Sequence, residues 1–128
     1  MSIFNLTQYE ATPAQEADGV IDLPDEARQQ LSGLLTFDSA PSRAEKDARA
    51  DAIVAFALAQ AEILPEFRAG LDRAMVDGAP FFMSALERAL EDKGIEPLYA
   101  FSVRKSAEQV QPDGSVRKVN VFRHAGWA

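Results

Sequence analysis

Cysteine is absent from this chain of 128 residues, which excludes disulfides, thiolate metal sites and thiol nucleophiles. A single histidine, His124, leaves no histidine-rich metal centre. There is no P-loop, no G-x-G-x-x-G fingerprint and no G-x-S-x-G elbow. No metal or resident cofactor is therefore expected. Hydrophobic runs are short, far below the ~18 to 20 apolar residues that a membrane span requires. The opening stretch MSIFNLTQYE lacks a basic segment followed by a long apolar one, so a signal peptide is not expected. These absences make a cytoplasmic setting, without membrane contact, the expectation.

What remains suits one globular domain over residues 1–128. Hydrophobic residues make up 47% of the chain, and a chain of this size buries roughly two thirds of its unfolded surface. The formal charge of -7 argues against a long nucleic acid as partner, because such binding depends on many cationic contacts. The charge is uneven, however. Between Leu98 and Ala128, Arg104, Lys105, Arg117, Lys118 and Arg123 face only Glu108 and Asp113, a local charge of +3 that leaves -10 on the preceding residues. A basic end on an acidic body suits a compact anionic ligand. The plainer reading is that these cations solvate a sheet edge and keep it from aggregating.

Ser2 to Leu6 reads as a first strand, and Thr12-Pro13-Ala14-Gln15 as a capping box opening a brief helix that ends near Gly19. Val20 to Leu23 reads as a second strand, followed by a short helix from Pro24 to about Gly33. Ser42 and Glu45 form a second capping box. Ala50, Ile53, Val54, Ala57 and Leu58 then give the apolar stripe of a long helix that Pro65 stops. Arg73 to Asp77 reads as a third strand, and a helix runs from the Gly78-Ala79-Pro80 turn through Lys93 to Gly94. The order predicts an α/β fold, a mostly parallel sheet flanked by helices, with a C-terminal antiparallel β-hairpin at its edge.

That hairpin, Leu98 to Val110 and Ser115 to His124, is the clearest element. Pro112-Asp113-Gly114 suits a type I turn closed by a bulge. Placing Gln111 opposite Ser115 makes paired residue numbers sum to 226, so Glu108 faces Lys118 and Ser102 faces His124. One face then carries Phe101, Val103, Ala107, Val119 and Val121 for packing. The other presents Ser102, Arg104, Ser106, Lys118, Asn120 and His124.

Ligands of such sheets sit outside the carboxyl ends of the strands. Those ends supply Asn5, Thr7 and Gln8, then Gly78, Ala79 and Phe81, then Ser102 to Arg104. Backbone N–H groups at the Gly78 turn suit a phosphate, although the same residues also make an ordinary tight turn. Arg104 has the fork to clamp a phosphate, or to pair with an acidic helix residue. Tyr9 and Phe81 can stack on bases, whereas Phe82, in step with Leu86 and Leu90, reads as core. Asp72 with Asp77, or Asp22 with Asp25, reads as solvated charge before magnesium ligand. An RNA phosphodiester carries its own nucleophile, the 2′-hydroxyl, so cleavage without metal needs only positioning and charge stabilisation. Arg104 or Lys105 would supply the charge and His124 a proton path; a binder that cleaves nothing would use the same groups.

The layout resembles the small single-domain proteins of the CARF group, the CRISPR-associated Rossmann fold, including ring-nuclease-like members. The likeness rests on N-L-T-Q at Asn5 to Gln8, V-I-D-L-P at Val20 to Pro24 and M-V-D-G-A-P-F-F at Met75 to Phe82. G-I-E-P-L-Y-A-F-S-V-R at Gly94 to Arg104 and the closing D-G-S-V-R-K-V-N-V-F-R-H complete it. It implies a homodimer that binds a cyclic oligoadenylate of type III CRISPR signalling, usually the four-adenylate ring, across its two-fold axis. Asn5, Thr7 and Gln8 would line the ring, Gly78, Ala79 and Phe81 would lie at the phosphates, and Lys105, Lys118 and Asn120 would support the ligand from the hairpin. Arg104, Ser102 and His124 would form the catalytic group of a metal-independent ring nuclease. Without an effector domain, a protein of this kind degrades or sequesters its messenger. The competing expectations are a nucleotide sponge, as in phage anti-defence, and a dimeric protein-interaction module.

Overall fold

The computed structural model describes residues 1–128, the side chain of Lys105 excepted. Four parallel strands form the central sheet: β1 (Ile3–Leu6), β2 (Val20–Ile21), β3 (Arg73–Val76) and β4 (Glu96–Leu98), in the order β2-β1-β3-β4. β1 is paired on both sides, Ile3 with Val20 and Asn5 with Met75. Its four residues are all buried, as a doubly covered central strand requires.

The helices cover the two faces unequally. On one side α2 (Asp25–Leu35), α3 (Arg43–Ile63) and α4 (Pro80–Asp92) pack on Phe4, Leu6, Ala74 and Val76 to form the main core. The other side carries only α1 (Pro13–Ala17) and the foot of the hairpin, where Trp127 and Leu98 pack against Ile3, Val20 and Met75. The first expected capping box is complete, the Thr12 hydroxyl accepting from the N–H of Gln15 at 3.2 Å and Gln15 Oε1 from the N–H of Thr12 at 3.0 Å. At the second, Ser42 accepts from the N–H of Glu45 at 3.1 Å, and the Glu45 carboxylate turns to the Ser42 hydroxyl instead of the backbone. In α3 the stripe Ala50, Ile53, Val54 and Ala57 is buried, while Leu58 lies at its open margin.

Apart from shifts of one residue at the ends of β1, β3 and α4, and a second hairpin strand that runs on past His124 to Trp127, three boundaries differ from the sequence reading. α2 runs through Gly33 to Leu35, because burying Leu35 against the core outweighs the helix cost of an interior glycine, about 1 kcal/mol. β2 ends at Ile21, since the Asp22 carboxylate is drawn into hydrogen bonds beyond the strand. The segment expected as one strand from Leu98 is two. Glu96–Leu98 forms the outer parallel strand, where Pro97, lacking an N–H, is tolerated at a sheet edge.

β5 (Ala100–Val110) and β6 (Val116–Trp127) form a separate two-stranded sheet rather than an edge of the first. Their register is the expected one, with Ser102 opposite His124, Glu108 opposite Lys118 and Val110 opposite Val116. At the tip the N–H of Gly114 donates to the Gln111 carbonyl at 2.9 Å, and Gly114 takes φ +84°, a left-handed value that suits glycine. The expected packing face does not pack on the body: Val103, Ala107, Val119 and Val121 stay half-buried, and Phe101 is half exposed.

Candidate ligand-binding cleft

The loop after β1 is held by one buried amide. Asn5 Nδ2 donates to the Tyr9 carbonyl and to Asp22 Oδ1, each at 2.8 Å. Its Oδ1 accepts from the Thr7 hydroxyl at 2.7 Å and from the Thr7 N–H at 3.1 Å. All four hydrogen-bonding positions of the amide are therefore used. Asp22 also accepts from the Ala11 N–H at 3.0 Å, tying β1, β2 and the approach to α1 together. Asn5 is 2% exposed and supports the loop from beneath.

This rigid loop faces the turn after β3. In the order β2-β1-β3-β4 the chain leaves β1 toward one side and β3 toward the other, so the gap between their carboxyl ends is the topological switch point, where open α/β sheets bind ligands. Two depressions meet there across Thr7, Tyr9 and Asp77. One, of about 280 Å³, extends toward Thr12 and Gln15 of the first capping box and toward Tyr99 at the foot of the hairpin. The other, of about 390 Å³, extends toward Gln8, Thr36, Gly78 and Ala79. Gln8 is oriented by α2, its Oε1 accepting from the Ser32 hydroxyl at 3.1 Å.

The cleft mixes polar and apolar surface, and the charge in its lining is negative rather than positive. Glu10 and Asp77 line it, and no lysine, arginine or histidine does among the described residues. The nearby cations are already paired, one of them with Glu10 of the cleft wall. Arg28 pairs with Glu10 and Asp25, and Arg49 donates to the Leu34 and Thr36 carbonyls while lying over the Phe37 ring. Burial, and then the Glu87 carboxylate, push the Tyr99 phenol above its usual pKa. The start of α4 differs from those of α1 and α3: Ala79 offers no side-chain cap, and its first turn holds no acidic residue. Of the N–H groups at that end, Gly78 donates to Asp77 Oδ1 at 2.9 Å, Phe82 donates to the Ala79 carbonyl at 2.9 Å and Pro80 has none, which leaves those of Ala79 and Phe81.

The residues expected to act together divide into two groups. Thr7, Gln8, Gly78 and Ala79 line the cleft. Phe81 is 51% exposed on the first turn of α4, its ring edge-on to Phe37, while Phe82 is core. Ser102, Arg104, Lys118 and Asn120 share one hairpin face and do not line the cleft. Arg104 lies over the ring of Phe122, 5.4 Å from its centroid. The side chain of Lys105 lies outside the described residues. His124 Nε2 meets Asp18 Oδ2 at 2.7 Å, and its Nδ1 is buried without a partner. Neither ring nitrogen of His124 therefore opens toward the cleft.

Sequence reasoning missed Tyr99, Thr36 and the binding side of Asp77. From the sequence Asp77 reads as solvated charge or, less readily, a magnesium ligand, and no group of three or more metal-ligating side chains forms among the described residues. A continuous strand from Leu98 to Val110 hides Tyr99; the strand-end rule finds it once the break between β4 and β5 is placed. No helix among those described is long and apolar enough to cross a membrane. No curated protein and no solved structure matches the chain. Over residues 1–128 the chain matches the family described as Uncharacterized protein MJ1673 family, and it belongs to that family.

Proposed function

We propose that this protein binds a nucleotide in the cleft between β1 and β3, and that the nucleotide is a cyclic oligoadenylate. The observation that carries the first part is the cleft's position: a pre-ordered polar loop and a glycine turn meet at the switch point of a parallel sheet. Tyr9 and Tyr99 offer aromatic surface to a base, and the carboxylate of Asp77 can accept from an exocyclic amine. Phosphates belong at the uncapped start of α4, where the helix dipole favours an anion, on the side of Ala79 and Phe81, since the Asp77 carboxylate already holds the Gly78 N–H. The choice of an adenylate ring rests on the resemblance to the CARF group.

Binding without cleavage is the form of this reading that the arrangement favours. The cleft itself supplies no cation to a pentavalent phosphorus and no free imidazole to move a proton. The test is to incubate the protein with labelled cyclic tri-, tetra- and hexa-adenylate in EDTA, following mobility shift and product together. A shift with intact ligand is expected. Product formation would restore the ring-nuclease reading, and the absence of any shift would remove the nucleotide reading.

A further inference from the structure

The hairpin is the least accounted-for part of the molecule. Beyond its foot it packs on itself, yet an isolated two-stranded ribbon is at best marginally stable in water. One face carries the half-buried row Val103, Ala107, Val119 and Val121, with Arg117 and Arg123 at its two ends. The ribbon is about 36 Å long at the ordinary strand rise.

A groove of matching character lies along α3. A depression of about 520 Å³ has Val54, Ala55, Leu58 and Ala89 as its apolar part and Asp51 and Asp92 at its rim. It continues past Leu58 into a second, of about 550 Å³, around Phe67, Leu71 and the exposed Ile63. Toward the start of α3, Arg88 pairs with Asp47, while no ion pair among the described residues engages Asp51, Glu91 or Asp92. Arg43 and Lys93 stand at the margins. A helix the length of α3 spans about 31 Å, close to the length of the ribbon.

We propose that the hairpin is a dimerisation arm whose Val103–Val121 face lies in the α3–α4 groove of a second copy of this chain. The groove is out of reach of its own arm, because α3 and α4 cover one face of the sheet while Trp127 anchors the hairpin on the other. Charge selects the surface. Two +3 arms repel each other, and a long nucleic acid would meet a body of -10, whereas arm on body is attractive. Area supports reciprocity. One ribbon face of about 10 by 36 Å offers roughly 350 Å². Two arms clasping two grooves bring each copy close to the roughly 800 Å² of a standard interface. The inference stands independently of the ligand reading.

Sedimentation velocity on the full chain tests it, with a dimer expected at micromolar concentration that weakens in high salt. Arg117→Glu with Arg123→Glu in one chain, and Asp51→Lys with Asp92→Lys in another, should each give monomers. Mixing the two should restore a heterodimer, because only the mixture pairs opposite charges at both interfaces. Hydrogen exchange of the unaltered protein at low and high concentration should show protection gained on β5, β6, α3 and α4 together, a readout that needs no variant. A monomeric wild-type protein overturns the proposal, and a monomer whose arm instead shifts duplex DNA or RNA does the same. So does a dimer indifferent to these substitutions, or protection that appears elsewhere.

Discussion

Asp18 and His124, separated by 106 positions in sequence, meet at 2.7 Å, and the same carboxylate oxygen accepts from Trp127 Nε1 at 3.2 Å. His124 and Trp127 stand edge to face with ring centroids 5.0 Å apart. One carboxylate at the end of α1 thus fastens the foot of β6 to the body. Asp18→Ala should cost about 1 kcal/mol, since the carboxylate is partly open to solvent, with the loss concentrated at the foot. Hydrogen exchange should show faster exchange of the paired Tyr99 and Ala128 amides while the parallel sheet keeps its protection. Equal loosening of β1 and β3 would contradict this local role.

Ala79→Asp should move stability and binding in opposite directions. Ala79 holds the extended conformation of a helix N-cap but has no side chain to perform the task. Aspartate there should add about 1 kcal/mol in denaturant unfolding. Its charge would then occupy the place assigned to phosphate, so the mobility shift should disappear. Retained binding in the stabilised variant would move the phosphate away from α4.

Asn5→Ala should cost about 1 to 2 kcal/mol, because it removes one donor each from Asp22 and the Tyr9 carbonyl, which keep the Ala11 N–H and the Thr7 hydroxyl, and takes the acceptor from the buried Thr7. The Thr7 to Tyr9 loop should loosen with it. Equilibrium unfolding gives the first effect, and a weaker shift at temperatures where the variant is still folded gives the second. A fully stable variant that fails to bind would instead mean that Asn5 itself touches the ligand.

How far these features are legible beforehand depends on how local their causes are. Thr12 and Ser42 cap helices through residues three positions away, and Pro112-Asp113-Gly114 fixes its own turn and with it the hairpin register. Such pairings can be read along the chain. Grouping Arg104 and His124 with the Gly78 turn required knowing where the hairpin goes, and that is decided at a distance. Tyr99 breaks the strand, Trp127 finds the apolar side of β1 and β2, and Asp18 captures His124. The cleft residues Thr7, Gln8, Gly78 and Ala79 came out together because the strand-end rule needs only strand boundaries and their parallel direction.

Acid should loosen the hairpin tip first. Asp113 accepts from the hydroxyl and the N–H of Ser115, and these bonds hold its carboxyl below the ordinary value. A group lowered in the folded state stabilises above its unfolded pKa of about 3.8, and that contribution fades as pH falls through the lower folded value. NMR of the Ser115 amide should report the loss in that window. Asp113→Asn should abolish the pH dependence.

Alkali should act on Tyr99. Its phenol is raised above 10.0, so the contribution is whole below that value and is lost as pH rises toward the folded one. Ultraviolet titration should resolve a late-ionising tyrosine that is missing from Tyr99→Phe. Because burial comes before Glu87 among the causes, Glu87→Gln should bring the transition only part of the way back.

The seating of β1 between β2 and β3 also sets an order of events in folding. Ile3 finds Val20 after a short excursion of chain, whereas Asn5 waits for Met75, seventy positions on. Closing so long a loop comes late, because its entropy is lost before the contacts repay it. The two walls of the cleft belong to the two strands joined in that step. A partly folded chain with α1 and α3 already formed therefore has no cleft, and ligand added during refolding should leave the early phases unchanged and act only after β3 has docked.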